Sequence, residues 1–348
     1  MAHSIHSNGL RMRERDKAWR GLPVLVTGAG GFIGSHLTEE LARRGAKVRA
    51  LVHYNSRTHW GHLEGLSPEL RRNVDICPGD VTDGRCVAEM VRGNNVVFHL
   101  AAQIAIPYSY IAPASFVQAN IVGTLNVLEA CRDGRITRLV HTSTSEVYGT
   151  ARYTPMDEGH PLQGQSPYSA SKIAADKLAE SYHRSFGLPV VTVRPFNTFG
   201  PRQSARAVIP TIISQLLSGV NRLTLGSLEP VRDLNYVSDT VEGFLTAALA
   251  PKAVGQVVNI GSGKGWSIRQ VAEAVMRLLG PSRRIPFAQD SSRIRPEASE
   301  VFRLVCDNRR AKRLLGWSPR YSLEEGLVHT IEHIRQHLSD YKAEAYNI

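Results

Sequence analysis

Three short groups of residues are spaced to carry out redox chemistry on an alcohol. They are a glycine-rich turn at Thr27-Gly28-Ala29-Gly30-Gly31-Phe32-Ile33-Gly34, the run Thr144-Ser145-Glu146, and Tyr168 with Lys172 four residues on. At i and i+4 of a helix, Tyr168 and Lys172 share one face. A free tyrosine ionises near pH 10, and lowering that to about 7 takes roughly 4 kcal/mol of preference for the phenolate. One cation at about 4 Å supplies about 1 kcal/mol in water and about 4 kcal/mol at an effective dielectric near 20. Lys172, together with an oxidised nicotinamide in a sheltered cleft, would therefore make Tyr168 a base. Glu146 adds a carboxylate for a second proton transfer, and that extra group is the pointer to the reaction.

The glycine turn lies between a short apolar strand, Val24-Leu25-Val26, and a helical stretch from Ser35 to Arg44. In that context Gly28 permits the tight turn, Gly31 the approach of backbone to a pyrophosphate, and Gly34 the packing of helix on strand. The spacing Gly28-x-x-Gly31-x-x-Gly34 differs from the G-x-G-x-x-G form. An acid is expected about 20 residues further on, to bind the adenosine ribose. The corresponding stretch, Lys47 to Arg57, has none. This permits NADP as well as NAD: His53, Ser56 and Arg57, with Asn55 among them on the cofactor side, either bind a 2′-phosphate, Arg57 as its charged contact, or form an exposed loop. Asp80, followed by Val81, is the candidate partner for the adenine.

Apolar runs at 24–26, 48–52, 74–77, 96–100, 139–142 and 190–193 alternate with helical stretches, notably Ser115 to Cys131 and Ser169 to Phe186. Such alternation gives an α/β fold: a Rossmann-type doubly wound parallel sheet covered on both faces. Val257 to Ile260 reads as a return to that sheet. The expected division is a polar arm over 1–20 outside the fold, a dinucleotide-binding domain over 21–196 joined by 233–262, and a smaller C-terminal substrate-binding α/β lobe from 197–232 and 263–348. Helices are expected at 209–217, 268–279 and 323–338.

With 348 residues the chain exceeds what a single core usually supports. The net charge of +11 invites a nucleic-acid reading. The basic residues are dispersed in short groups beside acids, which favours solvated surface plus a few contacts for an anionic diphosphate; no nucleic-acid partner is expected. Four cysteines, at 77, 86, 131 and 306, form no C-x-x-C pair, so neither disulfides nor a metal site is expected. No run is apolar and long enough to span a membrane, and no signal peptide is visible. The expected location is the cytoplasm.

The glycine turn, His99-Leu100-Ala101-Ala102, Tyr168-x-x-x-Lys172, Arg194-Pro195-Phe196-Asn197 and Arg232-Asp233 together resemble the extended short-chain dehydrogenase/reductase superfamily, in its nucleotide-sugar-modifying branch. The likeness runs from about Leu22 to His337. Within the branch, Thr144-Ser145-Glu146-Val147-Tyr148-Gly149 is similar to the hexose 4,6-dehydratases. The segments 52–57 and 294–300 are similar to bacterial dehydratases of nucleotide-linked N-acetylglucosamine. The resemblance implies that Thr144 hydrogen-bonds the sugar 4-hydroxyl, Tyr168 is the base and Lys172 holds the nicotinamide ribose. It places Leu100, Ala101 and Ala102 on the cofactor. The substrate-side set is Asn197, Arg202, Val208, Arg232 and Arg295, of which Asn197, Arg232 and Arg295 would contact the diphosphate. It also implies a homodimer built on the helices 115–131 and 169–186.

One position departs from part of that branch. Thymidine-diphosphate glucose dehydratases carry Asp where this chain has Ser145; mannose 4,6-dehydratases share the Ser-Glu pair, and so do glucuronate decarboxylases. The expected activity is dehydration of a nucleotide sugar, with UDP-N-acetylglucosamine as substrate and a tightly bound, recycled cofactor. Ser145 and Glu146 would serve the elimination. The rivals are a UDP-glucuronate 4-epimerase or decarboxylase reading a 6-carboxylate through Arg194 or Arg202, and a non-catalytic dinucleotide-sensing or RNA-binding protein.

Overall fold

The computed structural model describes residues 16–280, 285–293, 296 and 299–341; residues 1–15 of the expected arm and Arg295 lie outside the described residues. Six apolar runs become strands β1 (Pro23–Thr27), β2 (Lys47–His53), β3 (Val74–Gly79), β4 (Val96–His99), β5 (Arg138–Thr142) and β6 (Val190–Pro195). The later ones are β7 (Asn197–Phe199), β8 (Leu223–Leu225), β9 (Val231–Tyr236), β10 (Val257–Ile260), β11 (Gly265–Ser267), β12 (Phe287–Gln289) and β13 (Arg303–Leu304). Seven of them form one parallel sheet in the order β10-β6-β5-β4-β1-β2-β3. The chain steps outward from β1 to β3 and then returns to β4. This reversal opens a crevice beyond the carboxyl ends of β1 and β4, where open α/β sheets bind ligands.

Helices cover both faces because alternate strand residues point to opposite sides. Val24 and Val26 pack with Leu37 and Leu41 of α1 (Phe32–Arg43) on one face. Leu25 and Val97 pack on the other face with Val87 of α2 (Gly84–Val91), Leu128 of α3 (Gly123–Asp133) and Ala179 of α4 (Pro167–Phe186). The start of α4 is written in its residues. Pro167 occupies the first turn, and Ser166 and Ser169 cap each other's backbone N–H groups, with Ser169 N donating to Ser166 Oγ at 3.1 Å and Ser166 N to Ser169 Oγ at 3.0 Å.

The stretch 115–131 is helical as expected, but not α-helical throughout. A short helix at Pro113–Phe116 passes through a π-helical segment, Val117–Val122, before α3 begins. The buried Asn120 in that segment accepts from Gln103 N (2.7 Å) and donates to Ser171 Oγ on α4 (2.9 Å).

The smaller lobe has its own sheet, β11-β9-β13 with β7 beside β9, and a two-stranded pair of β8 and β12. Around it lie α5 (Val208–Leu217), α7 (Ile268–Leu278) and α8 (Leu323–Gln336). Between them α6 (Val237–Leu249) packs on the main sheet, its Phe244 in the same core as Leu37. The return from lobe to main sheet thus begins with α6, and β9, which straddles the expected boundary between 232 and 233, pairs wholly within the sheet of the lobe. The arm also ends earlier than position 20. Trp19 is fully buried with its ring 6.0 Å from that of Phe98, and Asp16 pairs with Arg44 at 3.2 Å.

Candidate active site

A cleft of about 920 Å³ runs from the glycine turn, past the carboxyl ends of the main strands, to the smaller lobe. At the cofactor end, Gly28, Gly31, Phe32, Ile33 and Gly34 line it, with Leu100, Ala101 and Ala102 opposite. Gly28 adopts φ +69°, and a Cβ there would lie 2.7 Å from Ala101 N. A Cβ on Gly34 would lie 2.1 Å from Gly28 O, so α1 docks on its own turn only without a side chain. The turn is also pinned from the far side, because His62 N donates to Gly30 O at 3.0 Å and a Cβ on Gly61 would meet that oxygen at 2.3 Å. Nothing in the 3.6-residue pattern marks that second glycine pair. Backbone N–H groups at a helix N-terminus, with no acid in the first turn, suit a pyrophosphate.

The adenosine-side expectations divide. His53 and Asn55 line the cleft. Ser56 and Arg57 are exposed and do not, because Asn55 Oδ1 accepts from both Arg57 N and His59 N at 3.1 Å and turns the segment outward. Arg57 is thus an exposed residue beside the rim of the cleft and not part of its wall. Asp80 and Val81 also stand off the cleft wall. Asp80 Oδ1 is taken by Thr82 N (2.8 Å) and Oγ1 (2.9 Å), and Val81 is buried against Gly123.

At the centre, Thr144, Ser145, Glu146, Tyr168 and Lys172 meet. Thr144 follows the end of β5 and its hydroxyl caps the turn Ser145–Tyr148, accepting from Glu146 N at 3.2 Å. The same hydroxyl is near the Tyr168 phenol and favours its ionised form. Lys172 is buried and donates to Thr142 O at 2.7 Å. Burial lowers its ammonium to about 8, a fall opposed by Asp176 one turn on. Burial pushes the Tyr168 phenol up to about 12; Thr144 acts against this, and the negative charges of Glu146 and Asp176 act with it. Reaching pH 7 from there takes roughly 7 kcal/mol. That exceeds the about 4 kcal/mol of one cation at 4 Å and a dielectric near 20. Lys172 and any further positive charge in the cleft would both act to lower the phenol's pKa.

Toward the lobe, Asn197, Val208 and Arg232 line the cleft as expected. Asn197 Oδ1 and Thr142 Oγ1 are buried without a protein partner, as polar atoms awaiting a ligand would be. Arg232 Nη2 donates to Glu300 at 3.1 Å. Arg202 does not line the cleft; it pairs with Glu39 of α1 at 2.7 Å. Arg206 lines it instead, a residue the motif pattern passed over. Arg194 is buried and bonded to Asp176 at 2.9 Å, which removes it from the substrate. Among the described residues no cluster suited to a metal ion occurs, no helix is long and apolar enough to cross a membrane, and all four cysteines are free.

The model of the GDP-mannose 4,6 dehydratase family matches residues 25–330. A dTDP-glucose 4,6-dehydratase of Xanthomonas campestris pv. campestris is 34% identical over 326 residues, covering 88% of this chain and 92% of the relative. Among solved structures, the DesIV dTDP-glucose 4,6-dehydratase double mutant of Streptomyces venezuelae, with NAD bound, superposes with a TM-score of 0.79 at 29% identity, over 91% of this chain and 98% of the other. The UDP-glucuronic acid 4-epimerase of Bacillus cereus, in complex with UDP-glucuronic acid and NAD, gives 0.81 at 30% identity, over 91% and 100%.

Proposed function

This chain belongs to the GDP-mannose 4,6-dehydratase family, within the extended short-chain dehydrogenases/reductases that act as NAD-dependent nucleotide-sugar dehydratases and epimerases, and we propose that it is a 4,6-dehydratase of UDP-N-acetylglucosamine. The observation that carries dehydration is the carboxylate of Glu146, which lines the same cleft as Tyr168 and is close enough to oppose ionisation of its phenol. An epimerase that only oxidises and re-reduces C4 has no use for a second acid–base group. The N-acetylglucosamine assignment rests on the sequence likeness of 52–57 and 294–300.

Bound NAD would supply an acceptor for the C4 hydride and return it within the turnover; Gly28, Gly31, Leu100, Ala101 and Lys172 would hold it. Thr144 would hydrogen-bond the sugar 4-hydroxyl while Tyr168 takes its proton, with the Lys172 ammonium favouring the phenolate. Once C4 is a ketone the C5 proton is acidic, and Glu146 would remove it. The 6-hydroxyl would then leave as water, taking that proton from Glu146, with Ser145 only hydrogen-bonding the departing oxygen where the thymidine-diphosphate enzymes place Asp; one proton to C5, replacing that lost from the 4-hydroxyl, accompanies return of the hydride to C6. Asn197 and Arg232 would face the diphosphate. A homodimer through α4 and the segment 113–133 is part of this proposal, supported by the exposed Val117 and Phe186 on those elements.

A UDP-glucuronate reading loses support, because Arg194 and Arg202 are held by Asp176 and Glu39. Mass spectrometry of products from UDP-, GDP- and dTDP-sugars tests the proposal. Loss of water from UDP-N-acetylglucosamine is expected. Loss of carbon dioxide from UDP-glucuronate, or unchanged mass with altered stereochemistry, would replace it with decarboxylation or epimerisation.

A further inference from the structure

Beside the cleft, a chain of buried polar groups joins the elements that carry Tyr168 and Glu146. Asp176 lies one turn past Lys172 on α4. It accepts from Ser143 Oγ at 2.7 Å, His141 Nε2 at 3.0 Å and Arg194 Nη2 at 2.9 Å. Two successive residues at the end of β5 are thus hydrogen-bonded to α4, Thr142 to Lys172 and Ser143 to Asp176, and Thr144 follows them on the cleft wall with Tyr168. Arg194, on β6, continues the chain. Its Nη1 donates to Tyr148 Oη at 3.0 Å, and its guanidinium stands 5.0 Å from the centre of the Tyr148 ring. Tyr148 in turn donates to Asn259 Oδ1 on β10 at 2.7 Å. Tyr148 is fully buried, and it closes the turn Ser145–Tyr148 that presents Ser145 and Glu146 to the cleft.

A buried ion pair adds little stability over apolar packing, whereas several directional bonds converging on one carboxylate restrict its geometry. The geometry points to Asp176, Arg194 and Tyr148 as a positioning chain that sets Glu146 relative to Tyr168, so that oxidation at C4 and proton removal at C5 act on one substrate pose. This rests on the dehydratase reading for its kinetic consequence. None of the three side chains need touch substrate. Each end of the chain governs one half of the reaction: the Ser143 link steadies Thr144 for oxidation, and the Tyr148 link steadies Glu146 for elimination.

Two substitutions separate the halves. With NAD and UDP-N-acetylglucosamine in single-turnover experiments, Tyr148→Phe is expected to form bound reduced cofactor at about the wild-type rate. Water loss, read by mass spectrometry, should slow on the order of 10²-fold, the effect of a displacement near 1 Å. Arg194→Lys keeps the charge but loses the planar fork, and should repeat that pattern even if Tyr148→Phe fails to fold. Ser143→Ala should do the opposite, slowing cofactor reduction without accumulation of the reduced form. Equal slowing of both halves in every variant, or no change in any, would make the chain simple scaffolding. A second arm needs no sugar: hydrogen exchange of the NAD-loaded protein should rise in residues 144–149 of Tyr148→Phe while 167–176 stay protected. Rises in both segments, or in neither, overturn the proposal. A wild type that loses no water from the sugar would count against the dehydratase reading only, and the exchange arm would still decide the chain.

Discussion

Glu146 and Tyr168 share a cleft, and in the proposed reaction they serve different bonds, so removing one should leave the work of the other visible. Glu146→Gln keeps size and most hydrogen bonds yet cannot accept the C5 proton, and loss of one acid–base group typically costs about 10²–10⁴-fold. The mutant is expected to accumulate bound reduced cofactor and 4-keto sugar, read by cofactor absorbance and product mass. Tyr168→Phe should barely reduce the cofactor. Near-normal turnover of Glu146→Gln would make the carboxylate structural and favour an epimerase. Lys172 supplies a pH test. Its ammonium is held at about 8 by burial, so kcat/KM should fall as pH rises through that value and the phenolate loses its cation. Stability should respond in the other direction. Between about 8 and the ordinary lysine value the unfolded chain binds more protons than the folded one, so this group makes stability rise with pH. A pH series of denaturant melts beside the rate profile checks both signs.

The elements place these residues through their ends. Tyr168 is fixed one residue after Pro167 by the Ser166–Ser169 capping box at the start of α4. Ser166→Ala should cost about 1 kcal/mol of stability. Thermal melts are expected to shift by no more than a few degrees, with a larger relative loss of kcat because the catalytic phenol sits in the frayed turn. At the other end of the site, α1 meets β1 with only Gly34 between the backbones. Gly34→Ala puts a methyl 2.1 Å from Gly28 O, and neither group can yield without moving the turn. The expected outcome is loss of NAD binding by calorimetry before global unfolding. Intact NAD affinity would mean that α1 shifts as a body.

Across the whole molecule the cleft is lined from both the main sheet and the smaller lobe, and in the proposed reaction the first holds the cofactor and the second the sugar nucleotide. Because the hydride is returned at C6 in the proposed reaction, activity should require no stoichiometric NADH. Reduced cofactor rising in proportion to product, followed by absorbance, would indicate a net oxidation instead. The placement of the arginines also has a consequence at this scale. Arg202 joins the lobe to α1 through Glu39, with side chains mostly shielded from water. Arg202→Ala is therefore expected to lower stability and leave nucleotide-sugar affinity nearly unchanged, whereas Arg206→Ala should weaken that affinity.

Local chemistry was legible in the amino-acid sequence wherever one short segment contains its own reason. Seven apolar runs became seven parallel strands, Gly28 and Gly34 stand where a Cβ has no room, and Thr144, Glu146, Tyr168 and Lys172 line one cleft because strand ends and a capped helix start hold them there. Side chains whose role depends on a distant partner were not legible. Arg202 and Arg206 are alike in type and nearly adjacent, and only the position of Glu39 on α1 decides that the first is an inter-element tie and the second faces the cleft. Arg57 turns outward through Asn55, Trp19 turns inward against Phe98, and Asn120 interrupts a periodic helix to bridge Gln103 and Ser171. Periodicity records which face of an element is apolar; it does not record which charge or amide from another part of the chain will arrive at that face, and that encounter is what the tertiary structure decided.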